Sequence, residues 1–202
     1  MSSSERDDVY GEDPLVSFSA SFERAKALES FTATRAALAT VSAHGQPSVR
    51  FVLVKGIDAS GFVFFTNLDS RKARELHDNA HAALAFHWAS TGEQIRVEGE
   101  AARVSDAEAD AYFAKRPRGS QLGAWASHQS APIAARAELE AKLVAATERF
   151  AAVAAVPRPT FWGGYRVIPS LIEFWSDRSD RLHDRLAYTR DGSRWRCTRL
   201  SP

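Results

Sequence analysis

The residues best suited to chemistry in this chain are cations placed where an anion could reach them. Ser70-Arg71-Lys72 follows the apolar run GFVFFTN and opens a short stretch of helical character. Cations are disfavoured in the first turn of a helix, because the macrodipole is positive there. They make sense in that place if an anion sits between them and accepts from the free N–H groups and the Ser70 hydroxyl, and a phosphate is the obvious candidate. The competing explanation is a solvated turn whose cations pair with Asp69 or Glu75, and spacing alone does not separate the two. Arg50 and Lys55 bracket a second apolar run, RFVLVK. They either snorkel from a buried strand to water or line the same anion site. In a meander, the strand ending at Thr66 would pair with this run and bring Arg50 toward the Ser70 turn.

Two further groups carry chemical potential. In RLHDR, strand alternation would place Arg181, His183 and Arg185 on one face. Three such groups repel one another unless something negative or electron-rich covers them, or unless Asp177, Asp180 and Asp184 neutralise them. The segment YFAKRPRGSQLGAWASHQS holds Tyr112, Arg116, Ser120, Gln129 and Ser130. Hydroxyls, amides and a guanidinium on a loop between helices suit a polar small-molecule pocket, and Arg116 suits bidentate phosphate contact.

Other chemistries lack an anchor. No G-x-G-x-x-G, Walker-type loop or G-x-S-x-G is present. His77 and His81 have i, i+4 spacing, but Asp78-Asn79 between them reads as a helix end, so no metal site is expected there. Cys197 is the one cysteine; it reads as a core residue of a terminal strand rather than a nucleophile, and it excludes an intrachain disulfide.

These groups need a scaffold to hold them. Residues 1–13 read as a flexible tail and 14–202 as a single domain. Phe18, Phe22, Ala25, Leu28 and Phe31 recur at helical spacing, giving an amphipathic helix from Leu15 to about Ala36. Short apolar runs between turn signals then predict strands over Ala36–Val41, Val49–Val54, Phe62–Thr66, Ala82–His87 and Gln94–Val104, with a helix over Ser70–His77 after the third. Helices are expected at Ser105–Phe113, where Ser105 can cap, and at Ile133–Phe150. Strands return at Leu171–Trp175, Leu182–Tyr188 and Trp195–Leu200. The fold class is mainly β with flanking helices (α+β), a barrel-like sheet with helices packed outside it.

Composition sets the outer bounds. The chain has 202 residues, is 45% hydrophobic, and carries 26 basic against 25 acidic residues for a net charge of +1. Such a chain can bury a core, and it has no global field to recruit nucleic acid or an anionic membrane. No apolar run approaches the roughly 20 residues needed to span a bilayer, and MSSSERDDVY lacks the apolar segment of a secretory signal. A cytoplasmic location is the expectation.

Taken together, RFVLVK, FFTNLDSRKA, EQIRVEG, YFAKRPRGSQLGAWASHQS, WGGYRV, IEFWSDRSDRLHDR and the ending RLSP resemble the pyridoxine/pyridoxamine 5'-phosphate oxidases, from about Asp13 to Pro202. The resemblance implies a split β-barrel homodimer with FMN at the subunit interface. It places Arg50, Lys55, Phe65, Thr66, Ser70, Arg71, Lys72, Gln94, Gln129, Ser130, Trp175 and Arg185 around FMN. It gives the substrate phosphate to Lys55, Tyr112, Arg116 and Ser120, and sets Arg181 and His183 as the catalytic pair against the substrate ring. The implied reaction moves a hydride from the substrate's C4' carbon to flavin N5, and O2 then reoxidises the flavin with release of hydrogen peroxide.

Some positions depart from that pattern. ERDDVY matches poorly the R-x-x-Y element that folds over the substrate in this family, Glu93 stands where Arg is common, and SDRSD replaces a Gln-Gly-containing turn after Trp175. The chain is also similar to the phenazine-biosynthesis flavin oxidases, a branch that takes a bulkier tricyclic substrate. Tyr112, Arg116 and Ser120 form a phosphate set that a phosphate-free tricycle would not need. A flavin- or haem-binding split barrel without turnover is a third class, for which the RLHDR and Tyr112 segments would be superfluous.

Overall fold

Asp13 starts the first helix. Its carboxylate accepts from the Leu15 N–H at 2.8 Å and Pro14 occupies the first turn, where its missing N–H is not needed. This helix, α1 (Pro14–Glu29), ends earlier than its apolar spacing suggests. Ser30 turns to a φ of 55° and a 3-10 turn (Ser30–Thr34) leads into β1 (Arg35–Val41). The computed structural model describes residues 10–202. Most of the expected tail therefore lies outside the described residues, but Tyr10 to Asp13 pack. The Tyr10 ring lies 4.4 Å from that of Phe174, and the Tyr188 hydroxyl donates to the Gly11 carbonyl at 3.1 Å.

The meander follows as β2 (Pro47–Asp58), β3 (Gly61–Asn67), helix α2 (Arg71–Asp78), β4 (His81–Trp88) and β5 (Glu93–Arg103). Helices α3 (Asp106–Ala114), α4 (Arg118–Ala126) and α5 (Arg136–Arg149) come next, then β6 (Trp162–Ser176), β7 (Asp184–Asp191) and β8 (Arg194–Arg199). Strand order is β3-β2-β1-β4-β5-β6-β7-β8, and an extra β3–β6 pairing closes the first six into a barrel. Closure leaves these strands without unpaired edges.

Strand β6 does two jobs. Its first half (Trp162–Val167) pairs with β3 and its second half (Leu171–Ser176) carries β7, while β5 lies along Tyr165–Ser176. Leu38, Phe64, Phe86, Ile95, Val97, Val167 and Ile172 alternate into the barrel interior. Phe18 of α1 enters the same core, meeting Phe62 edge-on at 4.7 Å and Phe86 at 4.9 Å.

The structure corrects several expectations. Arg118–Ala126 is a helix, not a loop: its glycines weaken its local preference, and packing of Leu122 against Phe113 and Phe150 supplies what local propensity lacks. Strand β6 begins at Trp162 rather than Leu171, because WGGYRVIP hides a strand behind two glycines and a proline. Gly164 lies against the Phe64 carbonyl and the Phe65 ring, where a Cβ would come within 3 Å of both. Arg181, His183 and Arg185 do not share a strand face. Asp180 and Arg181 both adopt positive φ, 57° and 62°, in a 3-10 turn, and β7 begins only at Asp184. Cys197 is exposed on β8 rather than in the core.

The β5–β6 register shifts between Glu98 and Gly99, with Ser170 the extra residue on β6, and Gly99 lies against Ile168–Pro169 of β6. A Cβ there would lie 2.0 Å from the Ile168 carbonyl oxygen. Gly99→Ala is therefore expected to cost about 1–3 kcal/mol, lowering the melting temperature by roughly 2–4 °C per kcal/mol. Thermal denaturation checks this, and an unchanged midpoint contradicts the packing described.

Candidate functional site

The turn between β3 and α2 builds an anion-binding geometry from its own residues. Ser70 takes the N-cap position with its hydroxyl unused for capping, and no acidic side chain stands in the first turn of α2. Lys72 is 9% exposed, and its Nζ donates to Gln129 Oε1 at 2.7 Å, Thr66 Oγ1 at 3.2 Å and Ser70 Oγ at 3.4 Å. The Arg71 N–H donates to Ser130 Oγ at 3.1 Å. Burial, with Arg50 nearby, lowers the Lys72 ammonium to about 8, only partly offset by Glu75. A buried ammonium with neutral partners is incomplete electrostatically, and a bound anion completes it.

Arg71 and Arg50 differ from Lys72. Both bond Glu75, Arg71 Nε at 2.8 Å and Arg50 Nη2 at 3.1 Å. The pairing raised as the competing explanation is thus realised for Arg71 but not for Lys72. Glu75 is buried and also accepts from Ser48 and Thr40 at 2.6 and 2.5 Å. Burial alone would raise its pKa, but these hydrogen bonds from hydroxyls and guanidinium groups hold it down to about 2. Arg50 reaches the α2 end through Glu75, not through β3, since β2 and β3 pair only as far as Val54–Phe64 and Thr66 instead faces Gly163 of β6.

The second set joins the first in one cleft of about 790 Å³. Lys55, Tyr112, Arg116 and Ser120 line it together with Phe65, Thr66, Lys72 and Gln129. Sequence reasoning missed three of its lining residues that matter: Arg35, Lys115 and Trp162. With them the cleft presents five basic side chains (Arg35, Lys55, Lys72, Lys115, Arg116) and no acidic one. Only proximity in the fold could reveal this, because the residues come from β1, β2, α2 and the α3–α4 link. Arg116 Nη1 is buried and has no hydrogen-bond partner. Burial lowers the Arg116 pKa and raises that of Tyr112, each shift offset in part by the other group.

The remaining residues do not line this cleft. Gln94, Trp175 and Arg185 form a row across β5, β6 and β7, each opposite the next in register. The His183 ring lies 4.5 Å from that of Trp175, with Nδ1 3.2 Å from Asp177 Oδ1. Arg185 Nε donates to Glu173 Oε1 at 2.8 Å. Arg181 is exposed on the preceding turn. Next to Gln94, Glu93 is buried and takes donors from the Tyr10 hydroxyl, Ser21 and Arg24 at 2.9, 3.2 and 2.9 Å. One chain thus holds a basic cleft and, separately, a polar and aromatic row.

Comparison with known proteins bears on both parts. Residues 24–150 match the family model for pyridoxamine 5'-phosphate oxidase, and residues 162–202 match the pyridoxine 5'-phosphate oxidase C-terminal dimerisation region. A pyridoxine/pyridoxamine 5'-phosphate oxidase of Rubrobacter xylanophilus is 53% identical, with 94% of this chain and 87% of that one covered. Another from Anaeromyxobacter dehalogenans is 54% identical, covering 94% and 96%. Among solved structures, PhzG from Burkholderia lata, in complex with tetrahydrophenazine-1-carboxylic acid, superposes with a TM-score of 0.90 at 35% identity, covering 98% and 96% of the two chains.

Glu75 gives the arrangement a pH signature. Its folded pKa is depressed, so its contribution to stability is present above the ordinary carboxylate value of 4.5 and lost as pH falls through about 2. Denaturant unfolding of wild type and Glu75→Gln from pH 7 to pH 3 is expected to show the wild-type advantage shrinking below pH 5. A constant gap contradicts the assignment.

Proposed function

The chain belongs to the pyridoxamine 5'-phosphate oxidase family, and on that premise we propose that it oxidises pyridoxamine or pyridoxine 5'-phosphate to pyridoxal 5'-phosphate, with FMN as cofactor and O2 as the final acceptor. The observation that carries the substrate reading is Arg116, whose buried Nη1 lacks a partner in a cleft that already contains a separate anion site at Lys72. A flavin phosphate and a substrate phosphate together account for two such sites; one anion does not.

The residues present fit FMN. Lys72, the Ser70 hydroxyl, the N–H groups opening α2, and Ser130 would hold its phosphate, while Thr66, Phe65 and Gln129 would flank it. Its chemistry when bound is acceptance of a hydride from the substrate carbon and transfer of two electrons to O2, which leaves as hydrogen peroxide. Lys55, Tyr112, Arg116 and Ser120 bind the substrate phosphate and so fix the reacting carbon in place.

The second row takes part through a homodimer. The outer face of β1, β2 and β4 shows Ala37, Ala39, Ala83 and Ala85 in register, beside Val49 and Phe51, which are 70% and 76% exposed. An apolar sheet face without covering helices suits burial against a second copy. The match of the β6–β8 region to a dimerisation region supports the same arrangement. In that dimer Gln94, Trp175 and Arg185 of one chain complete the FMN site of the other, and Arg181 and His183 meet the substrate ring. A second reading, oxidation of a reduced tricyclic phenazine precursor, is favoured by the PhzG likeness over nearly the whole chain.

Purified protein supplied with pyridoxamine phosphate in air should be yellow and produce equal amounts of aldehyde and peroxide. Turnover of a dihydrophenazine acid but not of pyridoxamine phosphate selects the second reading, and a yellow protein active on neither refutes both. Lys72→Ala is expected to weaken FMN affinity at least tenfold and Arg116→Ala to raise KM for the phosphorylated substrate by a similar factor; identical effects of both on both parameters contradict the division of roles. Because the Lys72 ammonium is held near 8, FMN affinity measured by flavin fluorescence quenching should fall as pH rises from 7 to 9. Lys72→Arg removes that dependence.

A further inference from the structure

Arg116 is a cation with no carboxylate to hold it. It forms no ion pair among the described residues, and its Nη1 is buried without a partner. What fixes it is aromatic. Its guanidinium carbon lies 4.8 Å from the centroid of the Trp162 ring and 5.5 Å from that of Phe113. Trp162 is itself 6% exposed and locked. Phe113 meets it edge-on at 5.0 Å, and Phe65 lies parallel to it at 5.5 Å with 2° between the planes. Phe65 in turn stacks on Tyr112 at 4.0 Å and 3°. Trp162 also opens β6, opposite Asn67 at the end of β3, one residue beyond Thr66 of the Lys72 site.

A guanidinium over an indole face keeps its planar fork and its full charge, whereas a carboxylate partner would neutralise the charge and occupy the fork. We propose that Trp162 is a positioning residue for the substrate phosphate: its ring presents the Arg116 fork to the cleft without neutralising it, and ties that fork to the β3 end that carries the cofactor site. The inference rests on the reading of Arg116 as a substrate-phosphate ligand. It assigns Trp162 no contact with substrate.

Steady-state kinetics of the FMN-loaded dimer with pyridoxamine phosphate test this, together with the dissociation constant of the product, pyridoxal phosphate, measured at equilibrium. Trp162→Leu is expected to raise both KM and that dissociation constant about tenfold, with kcat and FMN affinity changed less than twofold. Trp162→Phe, which keeps an aromatic face, should lose no more than about threefold. A double-mutant cycle with Arg116→Ala covers the case in which Trp162→Leu fails to fold. If Trp162 acts through Arg116, Trp162→Phe has no further effect once Arg116 is Ala. Undiminished effects of Trp162→Phe in that background, or an unchanged KM in Trp162→Leu, overturn the proposal. If Arg116→Ala itself leaves KM unchanged, the reading of the substrate site fails instead, so the two failures are distinguishable.

Discussion

The pairing of β3 with the first half of β6 is the constraint on which this molecule depends. It closes six strands into a barrel, and it sets Asn67 opposite Trp162 and Thr66 opposite Gly163. The ends of these two strands thereby become one structural point from which both the Lys72 turn and the ring against Arg116 are held. The chain leaves β3 there into the α2 turn with Lys72, and enters β6 there with the ring that supports Arg116. The close approach needs glycine. Gly163 and Gly164 lie where a Cβ would press on Leu68 and on Phe64 and Phe65. The same strand continues past the barrel and carries β7, so its second half positions Trp175 and Arg185. One long strand thus sets the geometry of the cleft and of the row beyond it.

Electrostatics around the cleft follow from where the buried Glu75 stands. Glu75 takes two guanidinium groups and two hydroxyls, which gives Arg50 and Arg71 a shared carboxylate partner and braces α2 against β1 and β2. Lys72, three residues before Glu75, hydrogen-bonds to neutral partners only. Arg116 is held by rings. The cleft therefore concentrates uncompensated positive charge in a chain whose net charge is close to zero, so its positive field is local rather than global. A partly desolvated cation without a counter-charge costs stability.

The separation of the basic cleft from the polar and aromatic row has a structural cause. The row formed by Gln94, Trp175 and Arg185 lies across β5, β6 and β7, whereas the cleft lies among β2, β3, α2 and the α3–α4 link. A fold that grows β7 and β8 outward from the barrel sets the row apart from the cleft. In the proposed dimer, a two-fold symmetric pair of chains packed through the apolar outer face of β1, β2 and β4 would bring row and cleft together twice over.

Much of this was legible in the sequence, because it depends on local rules. Alternating apolar runs between turn residues marked all the strands of the first half within a few residues. The departure of Ser70-Arg71-Lys72 from ordinary helix-start chemistry singled out that turn without separating an anion site from a solvated one, and the combined motifs marked the family. Elements that depend on tertiary packing were not legible. Helix α4 has weak local propensity and forms because Leu122 is buried; β6 carries glycines and a proline that deny it a strand signature; two left-handed residues undo the alternation expected of RLHDR. The sequence by itself determined which residues carry charge and which side chains can stack. Only the tertiary structure decided which charges are neutralised, as Arg71 is by Glu75, and which are left free, as Lys72 and Arg116 are. A hydrogen bond or ring contact between residues dozens of positions apart exists only after strand closure has brought them within a few ångströms, and no spacing along the chain encodes that distance.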